Sequence, residues 1–78
     1  MPPAIVLINA EVGSEDELLR ELRALNNVIE AHAVYGVYDI LAKVEAETMK
    51  ELKEVITSKI RKLKNLRSSL TMMVLEGT

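Results

Sequence analysis

The sequence predicts an α+β domain in the order strand, helix, strand, strand, helix, strand, on three observations. Four short β-branched or alternating apolar runs are separated by turn residues, two of them flanking a glycine-centred hairpin. Two amphipathic stretches follow strands at matching places, and each opens with the pattern [ST]-x-x-E. The halves therefore repeat one unit, a split βαβ. With right-handed crossovers this gives a ferredoxin-like βαββαβ sandwich, a four-stranded antiparallel sheet with both helices on one face.

The first strand is expected from Ala4 to Val12, ended by Gly13. Val6, Ile8, Ala10 and Val12 form a fully apolar face, whereas Ile5, Leu7, Asn9 and Glu11 are apolar only at the beginning. Ser14 to Glu17 is a capping box, with acidic residues at the positive helix end. Leu18, Leu22 and Leu25, widened by Leu19, make the helix's apolar stripe, and Arg20, Glu21 and Arg23 face water. Asn26 and Asn27 stop it by adopting the left-handed conformation. The hairpin pairs Val28–Tyr35 with Tyr38–Glu45 around Gly36, which reverses the chain at little steric cost and leaves room beside its backbone. Thr48 to Glu51 caps a longer helix with Met49, Leu52, Ile56, Ile60 and Leu63 on one stripe, Val55 beside them, and Lys59, Arg61, Lys62 and Lys64 in its last turns. Asn65 ends it. Leu66 to Leu75 alternate as the closing strand.

At 78 residues the chain is one domain, near the size where a single core supplies little stability. It has no cysteine, so a disulfide framework is excluded and a reducing, cytoplasmic setting fits. Oligomerisation is the remaining staple, in keeping with 49% hydrophobic residues. The sheet face away from the helices has no cover within the chain. Strand parity is expected to place Ile5, Leu7, Leu41, Met73 and Leu75 there, where a second copy would close the face. A net charge of −2 argues against gripping a nucleic-acid backbone, and no apolar run approaches the roughly 20 residues of a membrane span.

The same parity rule is expected to put Asp39, Ser69 and Thr71 on the uncovered face. Asp39 would accept from an ammonium, Ser69 and Thr71 would donate to a carboxylate, and the backbone around Gly36 would supply the remainder. Those are the needs of a free amino acid. The bland alternative is that Asp39 caps the hairpin and both hydroxyls are ordinary strand residues.

Val34-Tyr35-Gly36-Val37-Tyr38-Asp39, followed by an apolar strand and ending in Ser69-Leu70-Thr71 with Val74 and Leu75, resembles the effector-binding domain of the Lrp/AsnC (leucine-responsive, or feast/famine) regulators, the RAM module. The resemblance covers nearly the whole chain. In that family the hairpin reads V-[ST]-G-x-[YFW]-D and the last strand T-x-T, and amino-acid effectors bind where neighbouring dimers meet. Gly36, Tyr38, Asp39 and Thr71 match, and Ser69 keeps the hydroxyl of the first threonine. Tyr35 departs from the small residue usual before the glycine, so its ring would fill part of the pocket or alter which side chain is accepted. The resemblance implies a homodimer, a ring of dimers, a free amino acid as effector, and regulation through a helix-turn-helix-bearing relative. The chain itself is expected to be a single ligand-binding domain, residues 1–78, with no helix-turn-helix and no direct DNA binding.

Three rivals are weighed against this. A small dimeric ferredoxin-like enzyme would need a nucleophile-base pair, but the chain has one histidine, no cysteine and no clustered metal ligands or cofactor motif, and His32 reads as a solvated residue. An RNA-binding sheet of the RRM type would need aromatic residues on its central strands, yet there is no Phe and both tyrosines lie at the hairpin. The cations from Lys59 to Arg67 read as a solvated helix end. A purely structural oligomerisation module predicts the same fold and differs only in ligand response.

Overall fold

The computed structural model of the chain describes residues 2–75. Its elements are β1 (Pro3–Ala10), α1 (Glu15–Arg23), β2 (Val28–Ala33), β3 (Ile40–Glu45), α2 (Met49–Val55) with a π turn over Ile56–Ile60, and β4 (Leu66–Met73). The strands form one antiparallel sheet in the order β2-β3-β1-β4, the ferredoxin-like arrangement.

Period-two burial defines the two faces. Ala4, Val6, Ile8 and Ala10 of β1 and Ile40, Ala42 and Val44 of β3 are buried, and they share one core with Leu18 and Leu22 of α1 and Leu52, Val55, Ile56 and Ile60 of the second helical segment. The other face is uncovered. Directly opposed residues of antiparallel strands point to the same side, so the pairings Leu41↔Leu7↔Leu70 and Lys43↔Ile5↔Met72 lay an apolar row and a mixed row across three strands of that face.

This register corrects two expectations. Met73 pairs with Ala4, Thr71 with Val6 and Ser69 with Ile8, so all three lie on the helix side of the sheet, and Met73 packs against the core. Leu75 lies beyond the end of β4 and is 72% exposed. Leu70 and Met72 occupy the uncovered face in their place, beside Ile5, Leu7 and Leu41. Both phases of β4 carry apolar residues, so alternation alone does not fix which phase turns toward the core.

The hairpin strands are shorter than expected, leaving Tyr35, Tyr38 and Asp39 in the connection between Ala33 and Ile40. Among the described residues no non-glycine residue has a positive φ, so Asn26 and Asn27 do not end α1 in the left-handed conformation. Asn27 instead staples β2 to β3: its side-chain amide donates to the Glu45 carbonyl at 2.9 Å and its own carbonyl accepts from Glu45 N at 2.9 Å. Arg23 is also more than a solvated residue, since its guanidinium donates twice to the Ala31 carbonyl, at 3.0 and 2.7 Å. A satisfied carbonyl on edge strand β2 is unavailable to a foreign strand. The second helical segment keeps its apolar stripe but closes with a π hydrogen bond from Arg61 N to Ile56 O at 2.9 Å, and Met49 stands 38% exposed outside the stripe.

Candidate functional site

The hairpin connection is closed by Val34 N donating to Asp39 O at 2.9 Å. Gly36 within it has φ of +153°, and nothing lies within 4 Å of where a side chain would begin, so backbone conformation rather than crowding favours glycine. Tyr35 and Val37 stand out in solvent on either side, whereas Tyr38 and Asp39 are half-buried.

Asp39 is fixed by three bonds. Its N–H donates to Ile8 O at 2.9 Å, its carbonyl accepts from Val34, and its Oδ2 accepts from the N–H of Ala10 at 2.9 Å. That last donor sits where β1 runs past its partner, because the β1–β3 pairing ends at Ile8 and Ile40. The carboxylate thus satisfies a backbone group that the sheet leaves free.

On the other side of β1 the register with β4 shifts between Asn9 and Ala10. Asn9 pairs with Ser68, but Ala10 pairs with Leu66, so Arg67 is an extra residue on β4. Such a bulge bends its strand and re-aims a side chain. A cleft of about 600 Å³ opens at this end of the sheet, between Asn9 and Ala10 of β1, Val12 and Glu15 of the turn into α1, Val37 and Asp39 of the hairpin connection, and Arg67 and Ser68 of β4. Asn9 Nδ2 donates to Ser68 Oγ at 3.3 Å across its floor. Among the described residues Arg67 makes no ion pair.

Of the residues singled out in the sequence, only Asp39 lines this cleft. Tyr35 and Gly36 lie toward the tip of the connection and Tyr38 next to Asp39, while Ser69 and Thr71 lie on the helix side of β4. One chain therefore does not gather the six into a single pocket. Arg67, Ser68 and Asn9 were missed, and only the register reveals them. His32 Nε2 lies 3.1 Å from Glu30 Oε1 at the sheet's opposite edge. Among the described residues no three His, Cys, Asp or Glu side chains converge as a metal site, and no helix is long and apolar enough to cross a membrane.

A sequence model of the Lrp/AsnC ligand binding domain matches residues 3–78. The chain belongs to the Lrp/AsnC ligand-binding domain family. The crystal structure of FFRP-DM1 superposes on this Lrp/AsnC domain with a TM-score of 0.93 and 40% identity, covering 96% of this chain and 100% of that one. An uncharacterized HTH-type transcriptional regulator of Pyrococcus furiosus, PF0250, is 32% identical over 73 residues, which is 90% of this chain and 49% of that protein. Homocitrate synthase of Saccharolobus solfataricus is 46% identical over 57 residues, 73% of this chain but 12% of the enzyme. The Lrp/AsnC domain thus spans about half of one curated relative and a small part of the other.

Proposed function

We propose that this Lrp/AsnC domain is an effector module that binds a free amino acid and self-associates through its uncovered sheet face, with no catalytic role of its own. The observation that carries the proposal is the cleft at the end of the sheet that Asp39 and Arg67 both line. An α-amino acid carries the complementary pair, an ammonium and a carboxylate. The family's description as a ligand-binding domain supports this reading. The homocitrate synthase match covers 12% of that enzyme, so the enzyme's activity is not carried over to this chain.

The homodimer would form over Ile5, Leu7, Leu41, Leu70 and Met72. A standard interface takes about 800 Å² from each partner, roughly a sixth of this chain's 5116 Å². Ser69 and Thr71, turned away from that face, would meet a ligand only where another dimer abuts the β4 edge, and Tyr35 and Gly36, exposed in the hairpin connection, would be open to contact with such a neighbour. The module would act in the cytoplasm on transcription through a helix-turn-helix-bearing partner of the kind PF0250 is named as.

A thermal-shift screen of the twenty amino acids on the full chain tests this, because a ligand that binds only the folded state raises the melting temperature by mass action. The control is Asp39→Asn, which removes the charge but keeps an acceptor for Ala10. At least one amino acid should stabilise the wild type and not the variant. An intact oligomer deaf to all twenty would leave a purely structural module.

A further inference from the structure

The cleft beside Asp39 holds two carboxylates against one guanidinium, and a defect in strand pairing puts that guanidinium there. β3 and β4 flank β1 on opposite sides, so Asp39 at the head of β3 and Arg67 in the bulge of β4 stand on either side of the β1 end. Two strand spacings separate their backbones by roughly 10 Å, a gap that a long arginine side chain and a small ligand can close. Asp39 spends Oδ2 on Ala10, and its other oxygen has no partner among the described residues. Glu15 lines the same cleft from the first turn of α1. Glu15, Asp16 and Glu17 all crowd that turn, more negative charge than the roughly half unit of positive charge at a helix N-terminus can offset.

We infer that the ligand is a basic amino acid. Arg67 receives its α-carboxylate as a two-pronged charge-assisted contact, the free oxygen of Asp39 receives its α-ammonium, and Glu15 receives the cation at the end of its side chain. The inference rests on the proposal that the module binds a free amino acid, and it names the class. It replaces Ser69 and Thr71 with Arg67 as the carboxylate's partner.

Titration calorimetry of the full chain with L-lysine, L-leucine, L-glutamate and 1,5-diaminopentane, which is lysine without its carboxylate, separates the possibilities. Lysine is expected to bind about tenfold or more tighter than leucine or glutamate. In Arg67→Gln the lysine affinity should fall about tenfold, to that of the diamine, while the diamine's own affinity stays unchanged. In Glu15→Gln the preference for lysine over leucine should collapse. Arg67 and Glu15 are exposed, and an unchanged melting temperature without ligand confirms that each variant folds. Undiminished lysine affinity in Arg67→Gln, or leucine or glutamate binding as tightly as lysine, overturns the inference and leaves the amino-acid proposal standing. No binding by any amino acid overturns both.

Discussion

Replacing Asp39 two ways distinguishes its part in the fold from its part in binding. The Ala10 N–H that it accepts is on a residue only 4% exposed. In Asp39→Ala that donor loses its partner, which costs about 1–3 kcal/mol when a buried group is left unsatisfied. The adjoining cleft is open, so water can take the vacated place, and the lower end of about 1–1.5 kcal/mol is expected. In Asp39→Asn the side-chain oxygen still accepts. Charged acceptors make hydrogen bonds roughly twice as strong as neutral ones, so about 0.5 kcal/mol should be lost.

For a domain of this size each kcal/mol moves the melting temperature by about 4–8 °C. The alanine variant should therefore melt roughly 5–10 °C below wild type and the asparagine variant about 2–4 °C below. Urea unfolding, with a slope of about 1 kcal/mol per molar, should place the alanine midpoint about 1 M lower. All three proteins are compared at one protomer concentration, since an assembling chain melts at a concentration-dependent temperature. Equal losses in the two variants would mean that the charge rather than the acceptor stabilises the fold, and no loss in either would mean that the bond to Ala10 contributes nothing. Both results would refute the structural role assigned here, whatever happens to ligand binding.

Further outcomes follow from the register and the caps. Leu70→Lys should convert the assembly to a monomer in light scattering with little loss of helical signal, whereas Met73→Lys should destabilise the fold itself; the reverse pattern would invert the phase of β4. Thr48→Ala should cost about 1 kcal/mol in urea unfolding, because its hydroxyl accepts from Glu51 N at 3.1 Å, while Ser14→Ala should cost under about 0.5 kcal/mol, as expected for a surface position away from any such feature. Gly36→Ala should lose about 1 kcal/mol through its φ of +153°, and a neutral result would show that the connection relaxes freely.

The two capping boxes show where a sequence pattern stops being informative. Both read [ST]-x-x-E, yet only Thr48 caps its helix. Its backbone is extended, at φ −131° and ψ 160°, which turns the hydroxyl toward Glu51 N, and Glu51 reaches back to the N–H of Glu47 at 3.1 Å. Ser14 follows Gly13, whose φ of +83° makes a tight turn, and sits at φ −110° and ψ 13°. Its hydroxyl donates backwards to Glu11 O at 2.7 Å and is lost to the helix. The element order, the core face of β1 and the apolar stripes were legible because each is a periodicity of side chains. Asp39 was legible because a carboxylate at the head of an apolar strand demands a partner. Arg67 was not, since nothing in Leu66-Arg67-Ser68 announces a bulge that exists only in relation to β1.

That same extra residue would tie a dimer to the cleft. Because Ser68, Leu70 and Met72 share the uncovered face with Asn9, Leu7 and Ile5, the cleft that Asn9 and Ser68 floor lies at the rim of the surface a second copy would cover. Dimerisation would bring a partner's rim against the cleft mouth, and a ligand seated between Asp39 and Arg67 would then bind the dimer and the free chain with different affinities. Linkage makes the effect mutual: whatever factor association adds to ligand affinity, ligand adds to association. Had β4 taken the phase that puts Ser69, Thr71 and Met73 on the uncovered face, the hydroxyls would be sealed in the dimer seam and Leu70 and Met72 would compete with Leu66 for the core. With the observed phase a dimer formed on this face would meet mainly through apolar side chains, Lys43 apart, and the charged groups of the cleft would stay at its edge, open to a soluble effector.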